Sequence, residues 1–332
     1  MKKILITGCA GYIGATFCYE ALKKNYEVLG IDNFINSTDK YIKNFEKNFS
    51  KFRFVNLNLS ISGEKVKDIF NDFAPDYVVH FAGLKAVGES EIKPDLYWQN
   101  NVLSTMNIME ACSSDTRLIF SSSATVYGES AMQPITEKCA IKSESVYGST
   151  KISSELLIKD YSRTKNIEAI CLRYFNPVGS HKDGVVVEDY TNSPNNLMPK
   201  LIEVVKNKSN EISVFGNDYN TQDGTGERDY IHISDLVAGH FSAIEYIYDN
   251  EENLFKTYNL GTGKATSVLE LIETFNRVNN TNIKINFTDR RKGDVEVCYA
   301  DPYLANCELK WKAVCSIDEM CRDSWNAVKN DA

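Results

Sequence analysis

The first fourteen residues, MKKILITGCAGYIG (1–14), decide the fold. Residues 3–7 have the aliphatic and β-branched composition of a short buried strand, and residues 15–24 have helical composition. Glycine lets a backbone approach a bound anion closely, and the N–H groups that open a helix point at that anion. Strand, glycine turn and helix in this order therefore predict a phosphate-binding loop. Its glycines are Gly8, Gly11 and Gly14, spaced G-x-x-G-x-x-G.

An acidic residue follows at the position that such a loop requires. The apolar run at residues 27–31 predicts a second strand, which ends in Asp32, eighteen residues after Gly14. A carboxylate there can accept hydrogen bonds from both ribose hydroxyls of an adenosine, which favours NAD over a 2′-phosphorylated cofactor. The glycines could also form nothing more than a tight turn, but that alternative does not explain the acid in register.

The composition is that of an ordinary soluble globular protein, with 43% hydrophobic and 25% charged residues among 332. This length predicts about two domains. The net charge of -8 and the absence of a long Lys/Arg block argue against a nucleic-acid partner. No stretch approaches the length of a membrane span, so we expect no membrane partner.

The cysteines and histidines predict neither disulfides nor a metal site. The nine cysteines are odd in number and include no C-x-x-C, which predicts reduced thiols in a cytoplasmic protein. The four histidines are scattered, without the spacing of metal ligands.

Predicted strands alternate with predicted helices up to about residue 176. This pattern is typical of an α/β protein with a Rossmann-like, doubly wound parallel sheet, whose ligands bind outside the carboxyl ends of the strands. We expect an NAD-binding domain at residues 1–176 and a smaller, mixed α/β second domain at 177–332. The alternative is that the segment near 230–261 returns to the first domain. The further predicted strands are 52–56, 77–81, 118–120 and 168–173, and the predicted helices include 63–73, 96–112 and 146–165.

Tyr147 and Lys151 form a Y-x-x-x-K pair at the start of the predicted helix 146–165. Positions i and i+4 share one helix face, so Lys151 can favour the phenolate of Tyr147 and also donate to a cofactor ribose. The spacing alone is weak, because Tyr19/Lys23 and Tyr161/Lys165 share it. We expect those two pairs to be ordinary surface-helix residues.

Ser123 distinguishes the pair at 147 from the other two. It follows the predicted strand 118–120, at the carboxyl end where ligands bind, and lies 24 residues before Tyr147. Ser123, Tyr147 and Lys151 together predict a proton-handling set that faces a nicotinamide. The alternative is that FSSSATVYG (120–128) is only a Ser/Thr-rich loop.

Several longer strings resemble those of the UDP-glucose 4-epimerase family, within the extended short-chain dehydrogenase/reductases. The resemblance runs from residue 4 to beyond residue 310. The strings are FAGLKAVGES (81–90), FSSSATVYG (120–128), RYFNPVG (173–179), NNLMP (195–199), GTGERDYIH (224–232) and RRKGD (290–294).

The resemblance implies the residues of the site. It implies catalytic roles for Ser123, Tyr147 and Lys151, and no metal. It implies that NAD is bound by Gly8, Gly11, Tyr12, Ile13, Gly14, Asp32, Asn33, Asn36, Ser37, Asn58, Leu59, Phe81, Ala82, Gly83, Lys85, Asn100, Ser121, Tyr147, Lys151 and Tyr174. It implies that the UDP-sugar is bound by Lys85, Ser123, Tyr147, Phe175, Asn176, Asn196, Leu197, Phe215, Arg228, Tyr230, Arg291, Asp294 and Cys298.

The implied reaction is reversible inversion at C4 of a UDP-hexose through a 4-keto sugar, with tightly bound NAD. The resemblance also implies a homodimer formed through the helices 96–112 and 146–165. One alternative is a nucleotide-sugar 4,6-dehydratase or decarboxylase, but dehydratases of this kind carry an Asp-Glu pair where Ala124 and Thr125 follow Ser123. The other is a non-catalytic nucleotide-sugar-binding regulator, which the retained catalytic trio argues against.

Three positions depart from the most usual pattern of that family. Asn58 replaces an acidic residue, and we expect its amide oxygen still to accept from adenine. Val146 replaces a proline before the catalytic tyrosine, which we expect to change only how the helix begins. Cys298 aligns with the position beside the sugar's C2 substituent, where tyrosine is typical of glucose/galactose enzymes and a smaller residue of those that also accept N-acetylated sugars. The adjacent Tyr299 could instead fill that space.

Overall fold

The computed structural model describes residues 2–130, 132–188, 196–207, 209, 211–249, 255–291 and 293–329. Asn195 and Lys292, in two of the strings quoted above, lie outside the described residues. The strands are β1 Lys3–Thr7, β2 Glu27–Asp32, β3 Phe52–Asn56, β4 Tyr77–His80, β5 Arg117–Ser123, β6 Glu168–Tyr174, β7 Asn176–Val178, β8 Glu211–Phe215, β9 Glu227–Arg228, β10 Tyr230–His232, β11 Phe255–Leu260, β12 Thr266–Ser267, β13 Lys284–Thr288 and β14 Val297–Cys298.

The helices vary widely in length. In the described part of the chain, none is long and apolar enough to cross a membrane. A π-helical segment spans Trp98–Leu103, and a short 3₁₀ helix spans Ala124–Tyr127. The α-helices are α1 Tyr12–Lys23, α2 Lys40–Asn48, α3 Gly63–Phe73, α4 Val87–Ile92, α5 Pro94–Tyr97, α6 Ser104–Ala111, α7 Val146–Lys165, α8 Leu197–Lys206, α9 Ile233–Asp249, α10 Val268–Asn279, α11 Tyr303–Glu308 and α12 Ile317–Asn326.

The central sheet has seven strands in the order β11-β6-β5-β4-β1-β2-β3. β1 pairs in parallel with β2 on one side and with β4 on the other, so the strand order reverses beside β1. In an open α/β sheet, the carboxyl ends of the strands at such a reversal form the ligand crevice. The predicted Rossmann-like, doubly wound sheet is therefore confirmed, and the glycine turn after β1 lies at the switch point.

The chain divides into two compact units. The first comprises Met1–Gly128, Ala140–Arg173 and His240–Tyr258, and the second comprises Glu129–Cys139, Tyr174–Gly239 and Asn259–Ala332. Residues 129–139 thus belong to the second unit and 240–258 to the first, whereas we expected one boundary near 176 with a possible return near 230–261.

The second unit contains small sheets, β12-β9-β14, β7-β10 and β8-β13, and its own apolar core. The buried carboxylate of Asp229, between β9 and β10, accepts hydrogen bonds from the N–H groups of Thr262 (2.8 Å), Gly263 (3.0 Å) and Ala300 (3.1 Å). Three segments distant in sequence are therefore fixed around one carboxylate. Burial raises the pKa of Asp229, although these hydrogen bonds oppose that shift.

The helix predicted at 96–112 is helical in the structure but not regular. A π-helical segment separates α5 from α6 and contains Asn100 and Asn101. π-Segments leave backbone groups without regular helical partners and are frequent at functional sites. The side chain of Asn100 donates to the Leu96 carbonyl (2.9 Å), which satisfies one such group.

A fully buried histidine joins three elements of the first unit. Thr105 Oγ1, on α6, donates to the Asn101 carbonyl (2.7 Å), so it can accept from the Nε2–H of His80 (3.1 Å). Burial lowers the pKa of His80 to about 3, so the ring is neutral. Its Nδ1 can then accept from Thr7 Oγ1, on β1 (2.6 Å), which in turn accepts from the Ala82 N–H (3.1 Å).

We predict that His80 makes the stability of the protein sensitive to acid. The unfolded chain binds a proton near the ordinary histidine pKa of about 6.5, whereas the folded chain does not until far lower pH. The free energy of unfolding should thus fall by up to about 1.4 kcal/mol per pH unit below that value from this group alone. Urea unfolding of the wild type and His80→Gln between about pH 7 and pH 5 measures it. Equal pH slopes for the two proteins would contradict the prediction.

Candidate active site

Two of the three glycines in the turn after β1 have no room for a side chain. Gly8 has a φ of +69°, and a Cβ there would lie 2.7 Å from the Ala82 backbone nitrogen. A Cβ on Gly14 would lie 2.1 Å from the Gly8 carbonyl oxygen. Both positions therefore require glycine, as the tight turn of a phosphate-binding loop does.

Asp32 is held next to this turn. Its Oδ2 accepts from the Ala10 N–H (3.0 Å), within the turn itself. Its Oδ1 accepts from the Phe34 N–H (2.9 Å) and from Ser37 Oγ (3.1 Å). These bonds fix the Asp32 carboxyl group at the carboxyl end of β2 beside the glycine turn, where adenosine ribose hydroxyls would meet it. The donors and acceptors present therefore fit NAD.

Asn58 is engaged differently from our expectation. Its Oδ1 already accepts two hydrogen bonds, from the Ser60 N–H (3.0 Å) and from Ser60 Oγ (2.8 Å). The amide oxygen that we expected to accept from adenine therefore has both lone pairs occupied, and the group left to face a ligand is the NH₂ donor. The neighbouring Leu59 is buried, and its carbonyl accepts from Asn107 Nδ2 (2.6 Å).

The three predicted catalytic residues lie together in the first unit. Tyr147, in the first turn of α7, is buried, and the hydroxyl of Ser123, the last residue of β5, is close enough to its phenol to oppose the rise of its pKa. Lys151 Nζ donates to the Ser121 carbonyl (2.7 Å) and lies 5.9 Å from the centroid of the Tyr147 ring. Ser123 Oγ also accepts from Thr125 Oγ1 (2.9 Å), which leaves its own proton directed elsewhere.

Burial sets the ionisation of this trio. It raises the pKa of Tyr147 to about 12, although the nearby Ser123 hydroxyl opposes the shift. It lowers the pKa of Lys151 to about 8, although the nearby Glu155 and Cys171 act in the opposite direction. Burial thus disfavours both charged forms, so a positive charge brought near Tyr147 would have a large effect on its proton.

The two other Y-x-x-x-K pairs have different surroundings. Lys23 pairs with Glu20 (3.3 Å), and Lys165 donates to the carbonyls of Met109 (3.2 Å) and Glu110 (3.1 Å). Neither Tyr19 nor Tyr161 is fully buried. The spacing is the same in all three pairs, but only the Tyr147 pair is buried at the carboxyl end of a strand.

Asn101 is a residue of this region that sequence analysis missed. It is buried, and its amide bonds both backbone groups of Leu84: Oδ1 accepts from the N–H (2.8 Å) and Nδ2 donates to the carbonyl (3.0 Å). Nδ2 also donates to Thr150 Oγ1 on α7 (3.0 Å). Asn101 therefore fixes the loop after β4, where Gly83 and Lys85 lie, against the catalytic helix. An asparagine pair within an otherwise apolar helix was the available signal.

The start of α7 accommodates the departure at Val146. Ser145 caps the helix by accepting from the Gly148 N–H (3.1 Å). The Val146 N–H, which a proline would lack, donates to Glu91 Oε1 (2.8 Å), and the Tyr147 N–H donates to Ser90 Oγ (3.1 Å). The valine thus adds a tie between α4 and the catalytic helix.

The remaining predicted cofactor residues surround the same strand ends. Tyr12 and Ile13 form the first turn of α1, and Asn33 Oδ1 accepts from the Ile35 N–H (3.1 Å). Lys85 is exposed. The others are Asn36 in the loop after β2, Phe81 and Ala82 after β4, and Tyr174 at the end of β6.

A second polar group lies in the second unit. The Arg291 guanidinium stacks over the Phe215 ring (4.5 Å to the centroid), and its Nε donates to Asp294 (3.1 Å). Arg228, on β9, donates from Nη1 to the Glu227 carbonyl (2.8 Å), which leaves its other donors for a ligand. Two planar guanidiniums suit a diphosphate, and an aromatic face beside them suits a base.

The other predicted substrate residues are spread over the same unit. Cys298, on β14, is the strand partner of Arg228, and burial raises the pKa of its thiol to about 11. Asn196 caps α8 and donates from Nδ2 to Glu188 (3.2 Å). Phe175 and Tyr230 are buried, Asn176 begins β7, and Leu197 begins α8.

The described residues contain no group of three or more His, Cys, Asp or Glu side chains that could hold a metal ion. All nine cysteines are free thiols.

The fold, the glycine turn with Asp32, and the Ser-Tyr-Lys trio define an extended short-chain dehydrogenase/reductase. A family model described as GDP-mannose 4,6 dehydratase matches residues 5–324. The UDP-glucose 4-epimerase 1 of Oryza sativa subsp. japonica is 41% identical over 341 residues, covering 99% of this chain and 96% of that protein. The chain belongs to the family of that model, and its relatives within the family are UDP-glucose 4-epimerases, which confirms the resemblance.

Solved structures agree. The UDP-glucose 4-epimerase of Stenotrophomonas maltophila, described with bound NAD and formylated UDP-arabinopyranose, has a TM-score of 0.94 and 36% identity, covering 100% of both chains. The UDP-Glc/GlcNAc 4-epimerase of Campylobacter jejuni has a TM-score of 0.86 and 31% identity, covering 99% of this chain and 100% of that one.

We predict that Tyr147→Phe keeps the fold and the nucleotide site but lowers turnover about 10²–10⁴-fold, because the buried phenol near Ser123 is the expected acid/base group. Tyr161→Phe is the matched control, since this ring lies farther along the same helix beneath Lys165. Steady-state turnover with a UDP-hexose measures both variants. Near-normal turnover of Tyr147→Phe would show that another residue is the acid/base group.

Proposed function

We propose that this protein is an NAD-dependent epimerase that reversibly inverts C4 of UDP-hexoses. The observation that carries the proposal is the buried Tyr147, with Ser123 near its phenol and Lys151 one helical turn away, in the same unit as a turn in which Gly8 and Gly14 have no room for a side chain. The names of the relatives, at about 40% identity over nearly the whole chain, support the same activity.

The first unit would hold NAD through the backbone of the glycine turn and the Asp32 carboxylate. Bound NAD would accept a hydride from C4 of the sugar and return it to the opposite face. Because the cofactor is regenerated within one turnover, it has no need to leave, and tight binding by many polar groups is favourable. Lys151, fixed by the Ser121 carbonyl, would donate to the nicotinamide ribose.

Tyr147 would remove the proton from the 4-hydroxyl and later return it. Burial opposes the phenolate, so Tyr147 needs the Lys151 ammonium, and the positive charge that oxidised nicotinamide brings, to lose its proton near neutral pH. Ser123, whose hydroxyl lies near the Tyr147 phenol, would bond the same sugar oxygen and relay the proton.

The second unit would hold the UDP. Arg228 and Arg291 would bind the diphosphate, Phe215 would lie against the uracil, and Asp294 would accept from ribose hydroxyls. Anchoring the nucleotide and not the sugar leaves the 4-keto hexose free to turn about its phosphate linkage. Such a turn is what allows the hydride to return to the other face.

A dehydratase would need an acid and a base in addition to the tyrosine. In this chain Ser123 is followed by the 3₁₀ helix Ala124–Tyr127, in which Thr125 donates to Ser123 and no carboxylate is present. The name of the matching family model is therefore not a guide to the reaction here. A non-catalytic regulator would have no use for a buried Ser-Tyr-Lys trio.

The proposal predicts that the purified protein carries NAD and needs none added. Incubation with UDP-galactose, UDP-glucose, UDP-GalNAc and UDP-GlcNAc in turn, followed by product analysis, tests the reaction. Release of nucleotide on denaturation tests retention. A cofactor-free protein that turns over only with added NAD would contradict tight binding, and no C4 epimer from any of the four would contradict the function.

We propose further that the sugar site accepts N-acetylated sugars. Cys298 is small, and its side chain is protonated because burial raises its pKa. Tyr299, the residue that could instead fill this space, lies just beyond the end of β14. The related Campylobacter jejuni protein, described as acting on both UDP-Glc and UDP-GlcNAc, supports the breadth of this family.

Cys298→Tyr should suppress turnover of UDP-GlcNAc and UDP-GalNAc while sparing UDP-glucose and UDP-galactose, since the phenol ring would occupy the volume of the acetamido group. We expect the ratio of kcat/KM between the two pairs to change about tenfold or more. Cys307→Tyr, at an exposed cysteine on α11, is the control. Equal loss of both activities, or a wild type that ignores UDP-GlcNAc, would contradict the pocket.

We also propose a homodimer formed through α4–α7 and the π-helical segment. Apolar side chains are exposed there that a monomer would leave in water: Ile92 (79% exposed), Trp98 (40%), Leu103 (37%) and Leu156 (58%). A set of this kind on adjacent helices marks an interaction surface. A second copy would cover it and bury the same residues on both sides of a two-fold axis.

Leu156→Glu should convert such a dimer into a monomer, because it places a charge in the apolar interface. Light scattering at micromolar concentration measures the mass. Ile61→Glu, at an 80% exposed position outside this surface, should leave the mass unchanged. A monomeric wild type would reject the proposal.

The free thiols support a reducing compartment, and we propose that the protein is cytoplasmic. Interconversion of UDP-galactose and UDP-glucose would give it a role in galactose metabolism.

A further inference from the structure

Three successive residues at the end of β5 face three residues spaced four apart on α7. The Ser121 carbonyl accepts from Lys151, and the Ser123 hydroxyl is close enough to the Tyr147 phenol to lower its pKa. Between them, Ser122 Oγ donates to Glu155 Oε1 (2.5 Å). Residues 147, 151 and 155 share one helix face because they lie at i, i+4 and i+8. The contacts of Ser121 and Ser123 involve residues of the proposed chemistry, whereas the Ser122–Glu155 hydrogen bond does not.

The Ser122–Glu155 hydrogen bond ends in a buried ion pair. Arg173, on β6, donates to both oxygens of Glu155, from Nε to Oε1 (2.9 Å) and from Nη2 to Oε2 (2.6 Å). Its Nη1 donates to Tyr127 Oη (2.8 Å), in the 3₁₀ helix that follows Ser123. Glu155 is 5% exposed and Arg173 3%. A bidentate pair of this kind has fixed geometry, whereas its burial contributes little net stability.

The pair therefore forms hydrogen bonds with residues on both sides of Ser123 in the chain. Glu155 binds the residue before it, and Arg173, through Tyr127, binds the short helix after it. The strand end cannot move relative to α7 without breaking charge-assisted hydrogen bonds in a dry environment, where they are strong.

We propose that the Glu155–Arg173 ion pair is a positioning device for catalysis, which fixes the carboxyl end of β5 against α7 and so keeps Ser123 and Lys151 in place around Tyr147. The interpretation of turnover rests on the proposed function, but the placement itself does not. Loosening the strand end would weaken the effect of the Ser123 hydroxyl, which favours the Tyr147 phenolate. Loss of the Glu155 charge would let Lys151 deprotonate at lower pH.

Several other titratable or charged groups surround Lys151 and interact electrostatically with it. Cys171 raises its pKa as Glu155 does, and the charge of Lys151 in turn disfavours protonation of His80. The titratable and charged groups that face Lys151 are Tyr147 and Glu155 on α7, His80 on β4, and Cys171 with its neighbour Arg173 on β6.

The test replaces both charges at once with apolar side chains, in the holoenzyme. Glu155→Met with Arg173→Met leaves no unpaired buried charge, so the fold should survive. The matched control is Arg117→Met with Glu168→Met, an ion pair (2.9 Å) that joins the opposite ends of the same two strands. The readout is the phenolate absorbance of Tyr147 from about pH 6 to about pH 10, taken as the difference from each protein carrying Tyr147→Phe.

We expect the Glu155/Arg173 variant to keep its circular dichroism spectrum, to ionise Tyr147 about one pH unit higher, and to lose about ten- to a hundredfold in kcat. The Arg117/Glu168 control should keep the Tyr147 titration and turnover of the wild type. A folded Glu155/Arg173 variant with wild-type titration and turnover would overturn the proposal. Equal changes in the control pair would also overturn it, because they would show a general effect of stability.

If the double variant does not fold, Ser122→Ala tests the positioning role, because it removes only the hydroxyl that joins β5 to Glu155. A shift of the Tyr147 titration in the same direction supports the proposal, and an unchanged titration overturns it. The titration needs no substrate. A wild type without epimerase activity would therefore reject the proposed function alone, and an active wild type with an unaffected variant would reject this inference alone.

Discussion

The contact between the carboxyl end of β5 and the first three turns of α7 is the constraint on which the catalytic unit depends. Tyr147 and Lys151 are buried, so water cannot stabilise either charged form, and the protein must supply each partner itself. It does so with one carbonyl, Ser121, and one hydroxyl, Ser123. These groups can stabilise the charged forms only if they stay within a few tenths of an ångström of their positions. The buried Glu155–Arg173 pair beside them would hold them there.

The same principle governs the other half of the first unit. In the glycine turn, Gly8 and Gly14 lie so close to other backbone atoms that a side chain would not fit. Asp32 is held against the turn by a hydrogen bond from the Ala10 N–H. His80 links this region to the catalytic one, because its hydrogen bonds run from Thr7 on β1 to Thr105 on α6. Thr105 Oγ1 also lies 3.4 Å from Ser154 Oγ, so this chain of hydrogen bonds runs from β1, which leads into the glycine turn, to α7.

The proposed nucleotide-binding residues of the second unit are more exposed than the trio of the first. Phe215 is 39% exposed, and Arg291 stacks on it and pairs with Asp294. Exposed arginines and an aromatic face can bind a nucleotide without fixing what is attached to it. The buried Asp229 carboxylate joins segments from residues 229, 262 and 300 by hydrogen bonds. The proposed inversion at C4 would use the first unit for chemistry and the second for holding the nucleotide.

The sequence by itself determined the parallel sheet and predicted the glycine turn, Asp32 and the trio of Ser123, Tyr147 and Lys151, because these depend on local patterns: alternating strands and helices, glycine spacing and a strand end followed by hydroxyls. Only the tertiary structure decided what depends on distant neighbours. Three tyrosine–lysine pairs share one spacing, and only the packing of the fold decided that the Tyr147 ring is buried whereas the other two rings are partly exposed. The π-segment around Asn101, the Ser60 partner of Asn58, and the Glu155–Arg173 pair depend on contacts across the fold. Spacing along the chain carries no record of these contacts, since burial and hydrogen-bond geometry arise only when strands and helices pack.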